Sequence, residues 1–299
     1  MSIKQHLPHR MNRHIPFLGL NTKYKKAEIV LFGAPFDGTT SYHPGARFGP
    51  SSIRNESYAL ESYSPYQNRD VFDYRICDMG DLELPFGNTE RVLNMIYDTE
   101  AKLFEDEKFP VMIGGEHLVT YPAVKAAAER YPDLRIIHFD AHADLRDEYL
   151  GEKLSHACVI RRCWEIVGDN RIFQFGIRSG DRQEFQWSKD HTFLHRNGFA
   201  ALPSALEEIG DAPVYLTIDL DVLDPSCFPG TGTPEAGGVS FLDLYGALRS
   251  TGKLNVVGLD ITELAPDLDP GFTSTSLAGK LLREICIMTC RARRNEEFP

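Results

Sequence analysis

Histidine and aspartate recur in this sequence at the ends of short apolar runs, in a spacing that suits a site for divalent cations. After Val111–Ile113 come Gly114, Gly115, Glu116 and His117, and after Ile136–Phe139 comes Asp140-Ala-His142-Ala-Asp144. After Val214–Ile218 comes Asp219-Leu-Asp221, followed by Asp224-Pro225, and after Val256–Leu259 come Asp260 and Glu263. A period of two turns Asp140, His142 and Asp144 to one side of an extended segment, and Asp219-x-Asp221 repeats the arrangement. Carboxylates suit Mg, Mn and Ca, and imidazole adds affinity for Mn, Fe, Co, Ni or Zn. His117, Asp140, His142, Asp144, Asp219 and Asp221 are more ligands than one ion with an open position needs, and they suit two ions bridged by shared carboxylates. Two such ions would hold a water between them and lower its pKa toward neutrality.

Each piece alone has a plainer explanation. An isolated Asp-x-Asp is usually a solvated turn or helix cap, a strand-end histidine is often structural, and Gly-Gly punctuates loops. Four strand ends carrying acids or histidines together favour the metal site.

Those ends must be brought together by a sheet. Strands are expected at 28–33, 75–79, 110–114, 134–139, 171–177, 214–220 and 255–260, with helices at 90–105, 120–131, 157–167, 241–250 and 275–289. Alternating β and α segments with apolar strands predict a parallel sheet covered by helices on both faces. Ligands of such sheets bind at the carboxyl ends of the strands, which is where the acids and histidines fall. In the last helix Leu277, Leu281, Leu282, Ile285 and Met288 make one apolar stripe, a packing face with no chemistry. Two long loops rich in glycine and proline, 35–50 and 224–238, are candidates for functional segments. No repeat or linker divides the chain, so residues 1–299 are read as one domain, with 1–25 as an N-terminal arm containing His6, His9 and His14.

A net charge of −11 argues against a nucleic-acid partner and suits a small cationic substrate. No apolar stretch is long enough for a membrane span, and the N-terminus lacks a signal-peptide core. The six cysteines show no CxxC pairing and are expected reduced, which fits a cytoplasmic protein.

The motifs Gly114-Gly-Glu-His117, Asp140-Ala-His-Ala-Asp144 and Asp219-Leu-Asp-Val-Leu-Asp-Pro225 resemble those of the ureohydrolases, the family of arginases and agmatinases. Gly45-Ala-Arg-Phe-Gly-Pro50, Gly230-Thr-Gly-Thr-Pro234 and Leu259-Asp-Ile-Thr-Glu263 extend the likeness. The resemblance implies a three-layer α/β/α fold on an eight-stranded parallel sheet, assembled as a trimer or hexamer. It implies two Mn2+ ions, one on His117 and Asp144, the other on His142 and Asp221, bridged by Asp140 and Asp219. It also implies that Glu263 holds the substrate guanidinium and that His156 transfers a proton, so that His156, Glu263 and Asp144 carry the catalytic assignment.

Arginases place an asparagine two residues beyond the second-motif aspartate, where this chain has Arg146. The stretch Asp144–His156 is similar to bacterial agmatinases, as are Tyr63–Gln67 and Gly176–Asp181, so the resemblance implies hydrolysis of agmatine to putrescine and urea. Asp181 is then a candidate contact for the distal ammonium. The alternatives are a guanidinobutyrase, an arginase, or a catalytically silent scaffold, which would be expected to have lost ligands that are all present here.

Overall fold

A computed structural model describes residues 7–12, 15–294 and 296; His6 and His14 lie outside them. Its central sheet has eight parallel strands, which in spatial order are β5 (Ile76–Leu82), β2 (Ile29–Ala34), β6 (Phe109–Gly114), β11 (Asn255–Thr262), β10 (Pro213–Asp219), β7 (Arg135–Phe139), β8 (Ile172–Ile177) and β9 (Phe193–Arg196). A ninth strand, the two-residue β1 (Met11–Asn12), adds antiparallel to the outer edge of β5. A small hairpin of β3 (Tyr63–Ser64) and β4 (Arg69–Asp70) stands apart.

Alternation within the strands explains the layers. Ile29 and Leu31 enter one core, while Val30 and Phe32 enter the other. Successive side chains of a strand point to opposite faces, so a strand buried on both sides must be apolar throughout. The first core is closed by α1 (Gly49–Glu56), α6 (Leu202–Ile209), α7 (Phe241–Thr251) and α8 (Thr273–Arg293). The second is closed by α2 (Thr89–Glu105), α3 (Thr120–Arg130), α4 (Val159–Val167) and the aromatic side chains of α5 (Arg182–His191). The stripe expected at the C-terminus is there: Leu281, Leu282 and Ile285 are buried on α8.

The expected strands and the five expected helices all form, with ends shifted by a few residues. Besides the two-residue strands β1, β3 and β4, the strands and α-helices not anticipated from the sequence are β9, α1, α5 and α6. Strand order places β6, β11, β10 and β7 side by side although β10 and β11 come last in the chain. Their carboxyl ends carry the four polar motifs.

Helix α1 anchors the loop that precedes it. Arg54, fully buried, donates to both carboxylate oxygens of Asp78 on β5, at 2.8 and 2.9 Å, and to Asp81. Removing one partner of a buried ion cluster leaves uncompensated charge. Arg54→Met is therefore expected to lower unfolding free energy by about 3–5 kcal/mol, read from the urea midpoint at unchanged m-value.

All six cysteines are free thiols. Among the described residues no helix is long and apolar enough to cross a membrane.

Candidate metal centre and active site

Gly115 opens the site. A Cβ there would lie 1.8 Å from the carbonyl oxygen of Phe36, so only glycine lets the loop after β2 close on the loop after β6. Glu116 then fixes that first loop: its carboxylate, fully buried, accepts from the backbone and hydroxyl of Thr39 and from the hydroxyl of Thr40. Burial and the nearby Glu263 push the Glu116 carboxyl up to about 7, against the bonds from Thr39. Thr39 in turn accepts from the backbone N–H of His156 at 3.1 Å. Glu116 is thus the anchor of a chain that ends at His156.

His117 lies at the centre. Its Nδ1 is 3.1 Å from carboxylate oxygens of Asp140 and Asp144 and 3.3 Å from Asp219. Its Nε2 is 2.9 Å from the hydroxyl of Thr217, which donates to Asp260 at 2.6 Å. With the hydroxyl proton committed to Asp260, Thr217 accepts from Nε2–H, which leaves Nδ1 as the nitrogen that faces the carboxylates and would hold a cation. His142 makes the second centre: its Nδ1 is 2.9 Å from Asp221 and 3.5 Å from Asp140. Asp140 belongs to both groups, as a bridging ligand must.

The protonation pattern fits a site built for cations. Burial penalises charge on His117 and His142, yet the surrounding aspartates hold both imidazoles well above their ordinary range. Burial and the charges of Asp221 and Asp140 push Asp219 well up. Without cations these groups hold protons in positions that cations would take. Binding of a divalent ion is therefore expected to release protons and to weaken as pH falls, which calorimetry in buffers of different ionisation enthalpy will measure.

His138, on β7, was not singled out from the sequence, and it joins His117, Asp140 and Asp144 in one potential ligand group. Hydrogen bonding assigns it another role. Gln174 donates from its amide nitrogen to the carbonyl of Ala143 at 2.8 Å, and the same nitrogen lies 3.1 Å from His138 Nδ1. His138 Nδ1 must accept there, so its Nε2 carries the proton and donates to Asp140 at 2.8 Å. It positions the bridging carboxylate. The signal was available, since His138 continues the alternation of Asp140, His142 and Asp144 two residues upstream.

Arg178 is a second supporting residue. Its guanidinium donates to the carbonyls of Asp221 and Glu235, both at 2.8 Å, tying the β10 turn to the 224–238 loop. Asp224, outside both potential metal-ligand groups, accepts from the backbone of Gly237 and Gly238 and holds the same loop.

Glu263 and Asp144 both adopt left-handed backbone, at φ 65° and 53°, a conformation that costs energy outside glycine and gathers at functional sites. Glu263 accepts from the His117 N–H at 2.8 Å and stands 3.6 Å from His156 Nδ1. Burial would depress His156, but Glu263 and the other nearby acids hold it up at about 9. Its Nε2 is 2.9 Å from the Ser41 hydroxyl.

A cavity of about 280 Å3 opens on this assembly, lined by His142, Asp144, His156 and Asp219 together with Arg146, Tyr149, Asp181 and Glu184. Asp181 is in the cavity but already engaged. One oxygen caps α5 through Gln183 and Glu184, and the other accepts from Arg146 at 3.1 Å.

Thr217 tests the orienting relay. Thr217→Val keeps the shape but breaks the link from His117 to Asp260, and is expected to weaken metal binding about 10–100-fold, measured as metal retained against a graded chelator.

The arginase family model matches residues 27–288 of the chain. An agmatinase from Bacillus subtilis is 45% identical over 276 residues, spanning 91% of this chain and 95% of that one. An N(1)-aminopropylagmatine ureohydrolase from Thermococcus kodakarensis is 40% identical over 86% of this chain and 89% of its own. The crystal structure of an agmatine ureohydrolase from Thermoplasma volcanium superposes with a TM-score of 0.87 at 32% identity, covering 96% of this chain and 98% of that one.

Proposed function

The chain belongs to the arginase family, and from that premise we propose that it is an agmatinase, hydrolysing agmatine to putrescine and urea at a pair of manganese ions. The observation that most supports the reading is the convergence of His117, Asp140, His142, Asp144, Asp219 and Asp221 at neighbouring strand ends, with Glu263 and His156 beside them. Similarity to the Bacillus subtilis agmatinase supports the substrate.

His117 and Asp144 would hold one ion and His142 and Asp221 the other, with Asp140 and Asp219 shared. The mixed imidazole and carboxylate set suits Mn2+. When bound, the ions supply a water of lowered pKa and a positive field beside the guanidinium carbon. Glu263 binds the guanidinium through charge-assisted hydrogen bonds and orients it. His156, which holds a proton beside Glu263, passes it to the departing amine. Asp144 joins them as a catalytic group through its place between His117 and the cavity. Asp181 forms part of the wall that meets the distal ammonium. The same reading takes residues 1–299 as one catalytic unit with 1–25 as its arm, in a cytoplasmic trimer or hexamer without nucleic-acid or membrane partners.

Urea release from agmatine, arginine, 4-guanidinobutyrate and free guanidine tests the substrate. The reading expects agmatine to have the highest kcat/KM, and a preference for arginine or guanidinobutyrate would overturn it.

A further inference from the structure

We propose that Arg146 is a specificity-determining residue that sets, by its charge, which tail a guanidino substrate can carry. The proposal rests on the guanidino-hydrolase reading above, which places the substrate's guanidinium beside Glu263 and its tail in the cavity lined by His156 and Arg146.

Arg146 follows the metal-site residue Asp144 by two positions, and its side chain, about one-third exposed, lies in the cavity wall. Its Nη1 is 3.1 Å from Asp181 and its Nε 3.6 Å from Glu184, and the guanidinium stands 5.1 Å from the centre of the Tyr149 ring. These two acids do not depend on Arg146 for their placement. Asp181 accepts from the backbone of Gln183 and Glu184, and Glu184 accepts from the backbone of Asp181 at 2.7 Å and of Leu145 at 2.9 Å. This reciprocal cap at the start of α5 fixes both carboxylates through main-chain bonds. Arg146 is thus a positive charge added to a negative wall that is built without it.

That arrangement decides what the wall offers a tail. With Arg146 present, part of the acidic charge is already neutralised, and the wall accepts a tail of modest positive charge. Without it the same carboxylates remain, and the wall becomes more negative by one unit. A doubly cationic tail gains most from the change, a singly cationic tail gains less, a neutral tail is indifferent, and a carboxylate tail loses. Arg146 therefore restrains the enzyme from longer polyamine tails while keeping some tolerance for anionic ones.

The test compares four guanidines on the Mn-loaded wild type, Arg146→Gln and Arg146→Lys: butylguanidine, agmatine, N1-aminopropylagmatine and 4-guanidinobutyrate. In Arg146→Gln, kcat/KM relative to butylguanidine is expected to rise about three- to tenfold for each positive charge on the tail. It should fall by a similar factor for the carboxylate, the scale of one unit charge at ~7–10 Å in a partly hydrated site. Higher ionic strength should shrink these ratios. Arg146→Lys, which keeps the charge, should stay near the wild-type ratios.

Equal change for all four substrates would overturn the proposal, because a merely structural role scales every tail alike. So would a lysine variant that shifts the ratios as far as glutamine does. Should the wild type release urea from none of the four, the hydrolase reading fails on its own. Calorimetric binding of the same four compounds to wild type and Arg146→Gln then still decides the role of Arg146, by the same ratios in Kd.

Discussion

Replacing Asp140 with asparagine is expected to remove bound metal and urea release together. Asp140 is the one carboxylate that joins both ligand groups, 3.1 Å from His117 Nδ1 and 3.5 Å from His142 Nδ1. Three neighbours besides cations hold it in place: His138 at 2.8 Å, the His142 N–H at 2.5 Å, and the strand β7 that precedes it. Burial resists its ionisation, yet His138, His117 and His142 keep its pKa well below the usual carboxylate range. An amide preserves the volume but removes the charge and one oxygen, so the two ions would lose one of the two carboxylates they are proposed to share. The expected loss in kcat is at least about 10²–10³-fold, the scale for losing one preorganised charge-stabilising group, with metal content falling in parallel. Full activity in a metal-replete assay would contradict the assignment.

Glu263→Gln should separate binding from fold. The amide oxygen can still accept the His117 N–H, which Glu263 now accepts at 2.8 Å, so the β6 turn should keep its shape. What would disappear is the negative charge proposed to face the guanidinium. Truncating one side of a buried, hydrogen-bonded charge pair costs about 2–5 kcal/mol, and that loss is expected in kcat/KM for every guanidino substrate alike. Metal content should remain near wild type. Unchanged kcat/KM would remove Glu263 from the substrate site, and loss of metal would make it a structural partner of His117 instead.

The candidate ligand residues are legible because their spacing is local. Asp140, His142 and Asp144 share one side of an extended segment, and their alternation can be read along the chain. What could not be read is that β10 and β11, last in sequence, insert between β6 and β7 and so bring Asp219 and Glu263 against His117 and Asp221 against His142. That depends on long-range strand pairing, which no local pattern encodes. The supporting residues were hidden for a similar reason. Gln174 and Thr217 read as ordinary strand residues until their partners, His138 and His117, are in place across the sheet.

The missed elements have local causes. Strand β9 is only four residues, Phe193–Arg196, too short for its alternation to register. Helix α5 is largely polar, and Phe185 and Trp187 are the apolar side chains it packs against the core. Helix α1 begins Gly49-Pro50, which reads as the end of a loop, although proline fits a first helical turn, where its missing N–H leaves no intrahelical bond unmade. Asp181 is a candidate substrate contact on the likeness of Gly176–Asp181 to agmatinases, and its sequence neighbours give no sign that it is already engaged. The partner that occupies it, Arg146, lies 35 residues away.

The central claim is that two divalent ions act together on one guanidinium. Metal-free protein titrated with Mn2+, with bound metal per chain and urea release from agmatine followed in the same samples, tests it most directly. The predicted result is binding that saturates at about two ions per chain, with activity appearing only as the second site fills, as a shared bridging carboxylate requires. Saturation at one ion per chain, or full urea release from protein stripped of metal, would contradict it.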